Sequence, residues 1–239
     1  MPDGMLDLHL HLSLTDPHGA CGEAACRELL LAAQSSNIST LLLTPHTDSY
    51  KPTADWQADH AATVAFCQQL APHISILSGS EFLIRHLEDV LLVQRGQVPT
   101  LNQTKAVLIE FLPDARSSLM LDAAHELRVL GYIPVIAHPE RYETFQRSPD
   151  KARELIASGA VLQGTLSSVI GVHGTRVRQT LWTLLKSDLI ACLASDFHGG
   201  DYAAHIQQGL APLAKQLGQP SVQRLMSDAP ARILAGQRP

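Results

Sequence analysis

Apolar and polar positions along the chain fall into a repeated alternation. A short apolar run of the kind that fills a buried strand is followed by a longer stretch with helical periodicity. Runs at 5–13, 38–44, 74–78, 105–112, 132–137, 160–163 and 189–194 predict seven strands, and 23–34, 55–70, 118–130, 149–158 and 175–186 predict helices among them. Gly131 and Gly159 stop two of these helices. Residues 82–97 show no single period and fit either a helix or a lid, while 202–217 and 219–234 predict two closing helices, with Pro220 and Pro230 near their boundaries. Strands alternating with helices predict a parallel sheet. Seven such units with no break in composition predict one domain over 1–239, an α/β fold closed into a (β/α) barrel. In such a barrel, functional groups gather where the carboxyl ends of the strands emerge.

Polar residues interrupt the pattern at those exits. Asp7-Leu8-His9-Leu10-His11 places two histidines two apart in the first strand, where alternate side chains share a face. The second strand ends in Pro45-His46, the third in Gly79-Ser80-Glu81, the fifth in His138-Pro139-Glu140-Arg141 and the seventh in Ser195-Asp196-Phe197-His198. Glu110 breaks the apolar run Val107-Leu108-Ile109-Glu110-Phe111-Leu112, and a carboxylate there needs a partner. Six of seven strands thus carry a potential ligand near the same end. With His18 from the first loop, the candidates are His9, His11, His18, His46, Glu81, Glu110, His138, Asp196 and His198, too many for one ion and suited to two or three divalent cations. Asp16 is the alternative to His18. Mixed imidazole and carboxylate donors suit Mn²⁺, Fe or Zn²⁺. His60, His73, His86, His125 and His173 lie on predicted helices or loops away from the exits and are assigned to the surface or the core.

A multinuclear centre lowers the pKa of a bound water and clamps the anion under attack, so the expected chemistry is hydrolysis of a phosphate ester by metal-activated hydroxide. Arg141, three residues after His138, is expected to hold the phosphoryl oxygens; the alternative is a surface pair with Glu140 or Glu143. A phenolic leaving group has a pKa near about 10 and needs little protonation. His198 or a metal-bound water is the candidate to assist it.

The chain is 45% hydrophobic and 17% charged with a net charge of −5, and no block of Lys or Arg stands out. Nucleic-acid and membrane-surface binding are therefore not expected, and no apolar tract is long enough to span a bilayer. The first twenty residues lack a secretion signal, so a cytoplasmic location is expected. Cys21, Cys26, Cys67 and Cys192 form no C-x-x-C pair. Cys21 and Arg27 do match the C-x5-R spacing of cysteine-dependent phosphatases, although Glu23 would then stand inside a loop meant to cradle an anion.

Taken in order, D-L-H-L-H, T-P-H at His46, G-S-E at Glu81, V-P-T-L-N at 98–102, L-I-E-F at Glu110, A-H-P-E-R at 137–141 and A-S-D-F-H at 194–198 resemble the bacterial PHP-domain (polymerase and histidinol phosphatase) protein-tyrosine phosphatases of capsule and exopolysaccharide systems. The resemblance implies a distorted seven-stranded barrel and a trinuclear site often filled with Mn²⁺. It also implies a phosphotyrosine substrate on a kinase controlling polysaccharide export. It carries metal positions over to His9, His11, His46, Glu81, Glu110, His138, Asp196 and His198, and a phosphate contact to Arg141. The chain departs from the family in three places. Pro17-His18-Gly19-Ala20 stands where the family has Asp-Asp-Gly-Pro. Residues 199–205 hold no Arg where the family has a second phosphate-binding one, and His205 is the nearest substitute. Ala24-Ala25 replaces a glutamate pair through which some members form rings, so an oligomer is possible without being implied. Alternative functions are a small-molecule phosphatase of the histidinol-phosphate type, the Cys21/Arg27 phosphatase, and a non-catalytic binding protein stabilised by its metals.

Overall fold

A computed structural model describes residues 4–50 and 53–239. The first apolar run forms β1 (Met5–Leu10) and a short β2 (Leu12–Ser13), which pairs with β3 (Ala20–Cys21) ahead of α1 (Gly22–Ser35). The second is divided at Pro45 into β4 (Ile38–Leu43) and β5 (His46–Thr47), followed by α2 (Ala54–Leu70). The third continues past Gly79-Ser80, giving β6 (Ser75–Ser78) and β7 (Glu81–Ile84), so that Glu81 opens a strand segment where the sequence predicted an exit. The stretch of mixed period contains one 3-10 turn (Leu87–Asp89) and α3 (Val90–Gln94).

Thereafter come β8 (Ala106–Phe111), α4 (Ser117–Val129), β9 (Ile133–Ala137), α5 (Glu143–Arg147), α6 (Lys151–Ala157), β10 (Val161–Thr165), α7 (Leu166–Ile170), α8 (Thr175–Lys186), β11 (Cys192–Ala194) and α9 (Tyr202–Leu217). The last predicted helix is three consecutive segments, α10 (Gln219–Gln223), a π turn (Arg224–Asp228) and α11 (Ala229–Leu234). The sequence did not predict α5 and α7, which at five residues each are too short for a helical period to register. Among the described residues no helix is long and apolar enough to cross a membrane.

All strand pairs are parallel, in an α/β arrangement. One sheet has the order β1-β4-β6 and another β5-β7-β8-β9-β10-β11. Pro45 has no N–H to give to a ladder, and at this break the pairing passes from one sheet to the other. Gly79 N–H donates to Leu43 O (3.0 Å) and Glu81 N–H to Pro45 O (3.2 Å), tying the two sheets together there. At the opposite edges, Asp196 N–H donates to His9 O (2.7 Å) and His11 N–H to Phe197 O (2.8 Å), which lays the chain after β11 alongside β1.

Alternate strand residues divide between two apolar clusters. Leu42, Leu108, Val135, Ala137 and Val161 join one with Ala229 and Ile233 of α11, while Leu41, Leu43, Ile109, Ile136 and Leu162 pack with the helices in the other. In β1 the allegiance changes: Leu6 and Leu8 belong to the first cluster, Leu10 and Leu12 to the second. The β1–β4 register is irregular between Asp7 and Leu10, and this offset is what lets the leucines change face. It separates His9 from Asp7. Asp7 is fully buried, accepting from Ser195 N–H (2.9 Å) and Tyr202 O–H (2.7 Å), so one carboxylate joins β1, the end of β11 and α9.

Tyr202→Phe leaves that buried carboxylate short of a donor without opening a cavity. The variant should lose about 1.5–3 kcal/mol of unfolding free energy, seen as a lower urea midpoint at unchanged slope; an unaltered midpoint would show that the Asp7 contact contributes nothing to stability.

Candidate metal centre

His9 lies in β1 and His11 directly after it; His46 opens β5, Glu81 opens β7, Glu110 lies in β8, His138 follows β9, and Asp196 and His198 follow β11. The fold draws these eight side chains to one place. His9 Nε2 and His11 Nε2 are 3.0 Å apart, and each is 3.2–3.3 Å from Glu81 Oε2 and 3.3 Å from Asp196 Oδ1. His46 Nδ1 is 3.0 Å from Glu81 Oε2 and 3.3 Å from Glu110 Oε1, while its Nε2 is 3.3 Å from His198 Nε2. His138 Nε2 is 2.8 Å from Glu81 Oε1 and 3.8 Å from Glu110 Oε2. Three overlapping groups result: His9, His11, Glu81 and Asp196; His46, Glu81 and Glu110; and His11, His46 and His198. Glu81 belongs to two of them.

The donor chemistry fits cations. Gln163 Oε1, 3.1 Å from His9 Nδ1, can only accept, so Nδ1 carries the hydrogen and Nε2 presents a lone pair. That lone pair faces a second imidazole and two carboxylate oxygens, and such a gathering of acceptors repels itself unless positive charge lies among them. Glu81 Oε2 is fully buried and makes no hydrogen bond, although three ring nitrogens lie within 3.3 Å. Burial opposes the Glu81 charge, yet His9, His11, His138 and His46 hold its carboxyl well below the usual range. In the metal-free protein, protons take the cations' place. Burial disfavours the charged rings, but Glu81 and Asp196 raise His9 to about 9, and Glu110 and Glu81 raise His46 to about 10.

His18 is not in these groups. Asp16 Oδ1 accepts from His18 N–H (3.0 Å) and Ser13 Oγ accepts from Asp16 N–H (2.8 Å), forming a tight turn that leaves His18 exposed. His18 and Asp16 line a small cleft beside His11 and His46. His198, the expected acid, is held by the backbone. Its Nδ1 lies 3.0 Å from the Asp196 carbonyl, which only accepts, so Nε2 holds a lone pair; burial and His11 lower the ring's pKa to about 4. A neutral ring with that tautomer can serve as a ligand and has no proton on Nε2 to give.

Arg141 does not pair with Glu140 or Glu143. Its Nη2 meets Asp196 Oδ2 and lies 2.8 Å from His173 Nε2, whereas buried Glu140 accepts from Thr165 N–H (2.9 Å) and Glu143 pairs with Arg147. His173, assigned by sequence away from the site, therefore touches it. His205 does not take the place of an arginine: its Nε2 is 2.9 Å from the Ser195 carbonyl, to which it donates. Gln163 was missed, although a buried amide inside the apolar strand Val161–Thr165 is a readable signal. The cysteine alternative finds no support, because Cys21 is exposed at the start of α1 and Arg27 pairs with Glu23 (3.6 Å) on the same helix and stacks over Phe66.

The tyrosine-protein phosphatase YwqE of Bacillus subtilis is 32% identical over 219 residues, covering 90% of this chain and 85% of its own. The tyrosine-protein phosphatase CpsB of Streptococcus pneumoniae is 25% identical over 242 residues, covering 98% and 99%. A solved structure from work on YwqE and CpsB as metal-dependent tyrosine phosphatases superposes with a TM-score of 0.84 at 28% identity, over 98% of this chain and 95% of that one. Histidinol phosphate phosphatase from Lactococcus lactis, at 16% identity and a TM-score of 0.56 over 88% of this chain and 93% of that one, shares the fold alone. The family model described as capsular polysaccharide synthesis, CpsB/CapC, matches residues 5–235, and the chain belongs to that family.

Proposed function

We propose that this chain is a metal-dependent phosphatase that hydrolyses phosphotyrosine in proteins regulating capsular or exopolysaccharide synthesis, a bacterial tyrosine kinase being the expected substrate. The observation that carries the reading is the convergence of His9, His11, His46, Glu81, Glu110, His138, Asp196 and His198 on one partly solvent-accessible centre with Arg141 at its edge. The names of the relatives point to the same chemistry. The strand order, with the chain after β11 bonded to β1, supports a single domain closed as a distorted seven-stranded barrel. Two or three ions would be held by those eight side chains; the family resemblance points to Mn²⁺, and the mixed imidazole and carboxylate donors also suit Fe or Zn²⁺. Four free cysteines fit the reducing cytoplasm.

Divalent ions bound there would supply Lewis acidity toward a phosphate ester and a nucleophile from water at neutral pH. The chain's own groups do the rest. Arg141 binds phosphoryl oxygen by charge-assisted hydrogen bonds, and Asp196 holds the guanidinium beside the centre. Asp196 and nearby Glu140 and Glu81 keep the guanidinium charged despite its burial. Gln163 fixes the His9 tautomer, and the Asp196 carbonyl fixes that of His198. Expulsion of tyrosine needs little proton donation, which fits a site where His198 Nε2 has none to give.

Two measurements test this. Chelation should abolish hydrolysis of p-nitrophenyl phosphate and of a phosphotyrosine peptide, with recovery on adding Mn²⁺, while Cys21→Ser stays within about twofold of wild type; chelator-resistant turnover lost in Cys21→Ser would overturn the reading. The second follows from protonation. His9 and His46 titrate at about 9 and about 10 without metal, so both are protonated at neutral pH and must lose their protons to bind a cation. Metal affinity therefore rises with pH. Calorimetry of Mn²⁺ binding near pH 7.5 in buffers of differing ionisation enthalpy should show release of about two protons and affinity rising about a hundredfold per pH unit. Binding without proton release would contradict the account.

A further inference from the structure

His173 lies in the short connection between α7 and α8, far in sequence from every candidate ligand, yet it meets the one arginine at the centre. A guanidinium has only donors. His173 Nε2, 2.8 Å from Arg141 Nη2, is therefore the acceptor, and Ser167 Oγ stands 2.9 Å from the same nitrogen. Partial burial and the Arg141 charge both lower the ring's pKa, to about 4, which favours the neutral form near neutral pH.

Nη2 carries two hydrogens, and both are used. One goes to Asp196 Oδ2 and the other to His173 Nε2, so the guanidinium is gripped by a carboxylate from the end of β11 and an imidazole from the α7–α8 connection. Among the described residues Arg141 Nε has no partner and no bond is made by Nη1, which leaves Nη1 as the edge with donors to offer a ligand. Asp196 alone would be a single hinge about which the planar group can turn. A second acceptor on the same nitrogen removes that freedom.

The connection is built to hold its place. Gly171 ends α7 at φ +88° and Gly174 precedes α8 at φ +99°, backbone conformations that suit glycine, and Gly174 N–H donates to Gly171 O at 2.9 Å. Val172 N–H donates to Ser167 O (3.2 Å), and the Val169 carbonyl accepts from both Trp182 Nε1 and Arg178 Nε at 3.2 Å. His173 is thus set before any ligand arrives, as a preorganised site requires.

We infer that His173 is a positioning residue for phosphate recognition, acting through Arg141: with Ser167 behind it, it fixes the guanidinium plane so that the free edge is presented to a phosphate oxygen. This rests on the reading of Arg141 as the phosphate contact. The test uses the Mn²⁺-loaded enzyme, with inorganic phosphate as competitive inhibitor and p-nitrophenyl phosphate as substrate. His173→Ala should raise the phosphate inhibition constant and KM about tenfold, the size of one hydrogen bond to a charged group, with kcat within about threefold and bound manganese unchanged. His173→Gln keeps an acceptor and should return both constants to within about threefold of wild type, whereas His173→Phe, filling the space without an acceptor, should behave as His173→Ala. In an Arg141→Ala background, His173→Ala should add less than about twofold. The inference is overturned if His173→Gln is as impaired as His173→Ala, if His173→Ala leaves both constants unchanged, or if its full effect persists without Arg141. If Arg141→Ala itself leaves the phosphate inhibition constant at the wild-type value, the reading of Arg141 fails and this inference with it; a rise in Arg141→Ala but none in His173→Ala defeats the inference alone.

Discussion

Glu81 is a carboxylate with no solvent exposure, enclosed by the rings of His9, His11, His46 and His138. Buried acidic groups are tolerated only with compensating positive charge. Here Asp196, also buried, adds a second negative charge within reach of His9 and His11, so the arrangement demands cations, whether metal ions or protons. The strand breaks at Pro45 and at Gly79-Ser80 deliver the key groups to this point. They let His46 and Glu81 begin new strand segments in register with each other, while Glu81 pairs across to Leu108 of the strand that carries Glu110.

Two residues of the centre are held in backbone conformations that non-glycine residues seldom adopt, His138 at φ +35° and Asp196 at φ +52°. Such strain costs about 1–3 kcal/mol per residue and persists only where the surroundings fix it. Beside His138, the buried Tyr142 hydroxyl donates to Ala137 O and accepts from Phe111 N–H, stapling the ends of β8 and β9. Beside Asp196, the bonds from Ser195 and Asp196 to β1, with the Asp7–Tyr202 pair behind them, hold the turn from two sides. The first loop approaches as closely: a Cβ on Gly19 would stand 2.6 Å from His11 O, so only glycine lets that loop lie against the second histidine.

The strand and helix succession was legible because each strand is a compact apolar run and most helices are long enough to show their period. The eight groups at the centre were legible for a related reason: an apolar run that ends in His, Glu or Asp is chemically conspicuous. Other features depend on tertiary contacts that no local pattern records. His173 resembles any loop histidine until α7, too short to be read from sequence, carries its connection back to Arg141. The exposure of His18 goes with hydrogen bonds inside the turn over residues 13–18. At His198 one bond to a backbone carbonyl fixes the tautomer, which no local pattern could show. Gln163 was readable and was overlooked because its strand, alone of the seven predicted, offers no ligand.

The central claim is that cations held around Glu81 would balance this gathering of buried acceptors. Anomalous diffraction from crystals grown with Mn²⁺ tests it most directly. The account predicts two or three peaks among His9, His11, His46, Glu81, Glu110, His138, Asp196 and His198, with the Glu81 carboxylate in contact with two of them. A centre that stays free of anomalous density at saturating Mn²⁺, or ions bound elsewhere with Glu81 untouched, would contradict it.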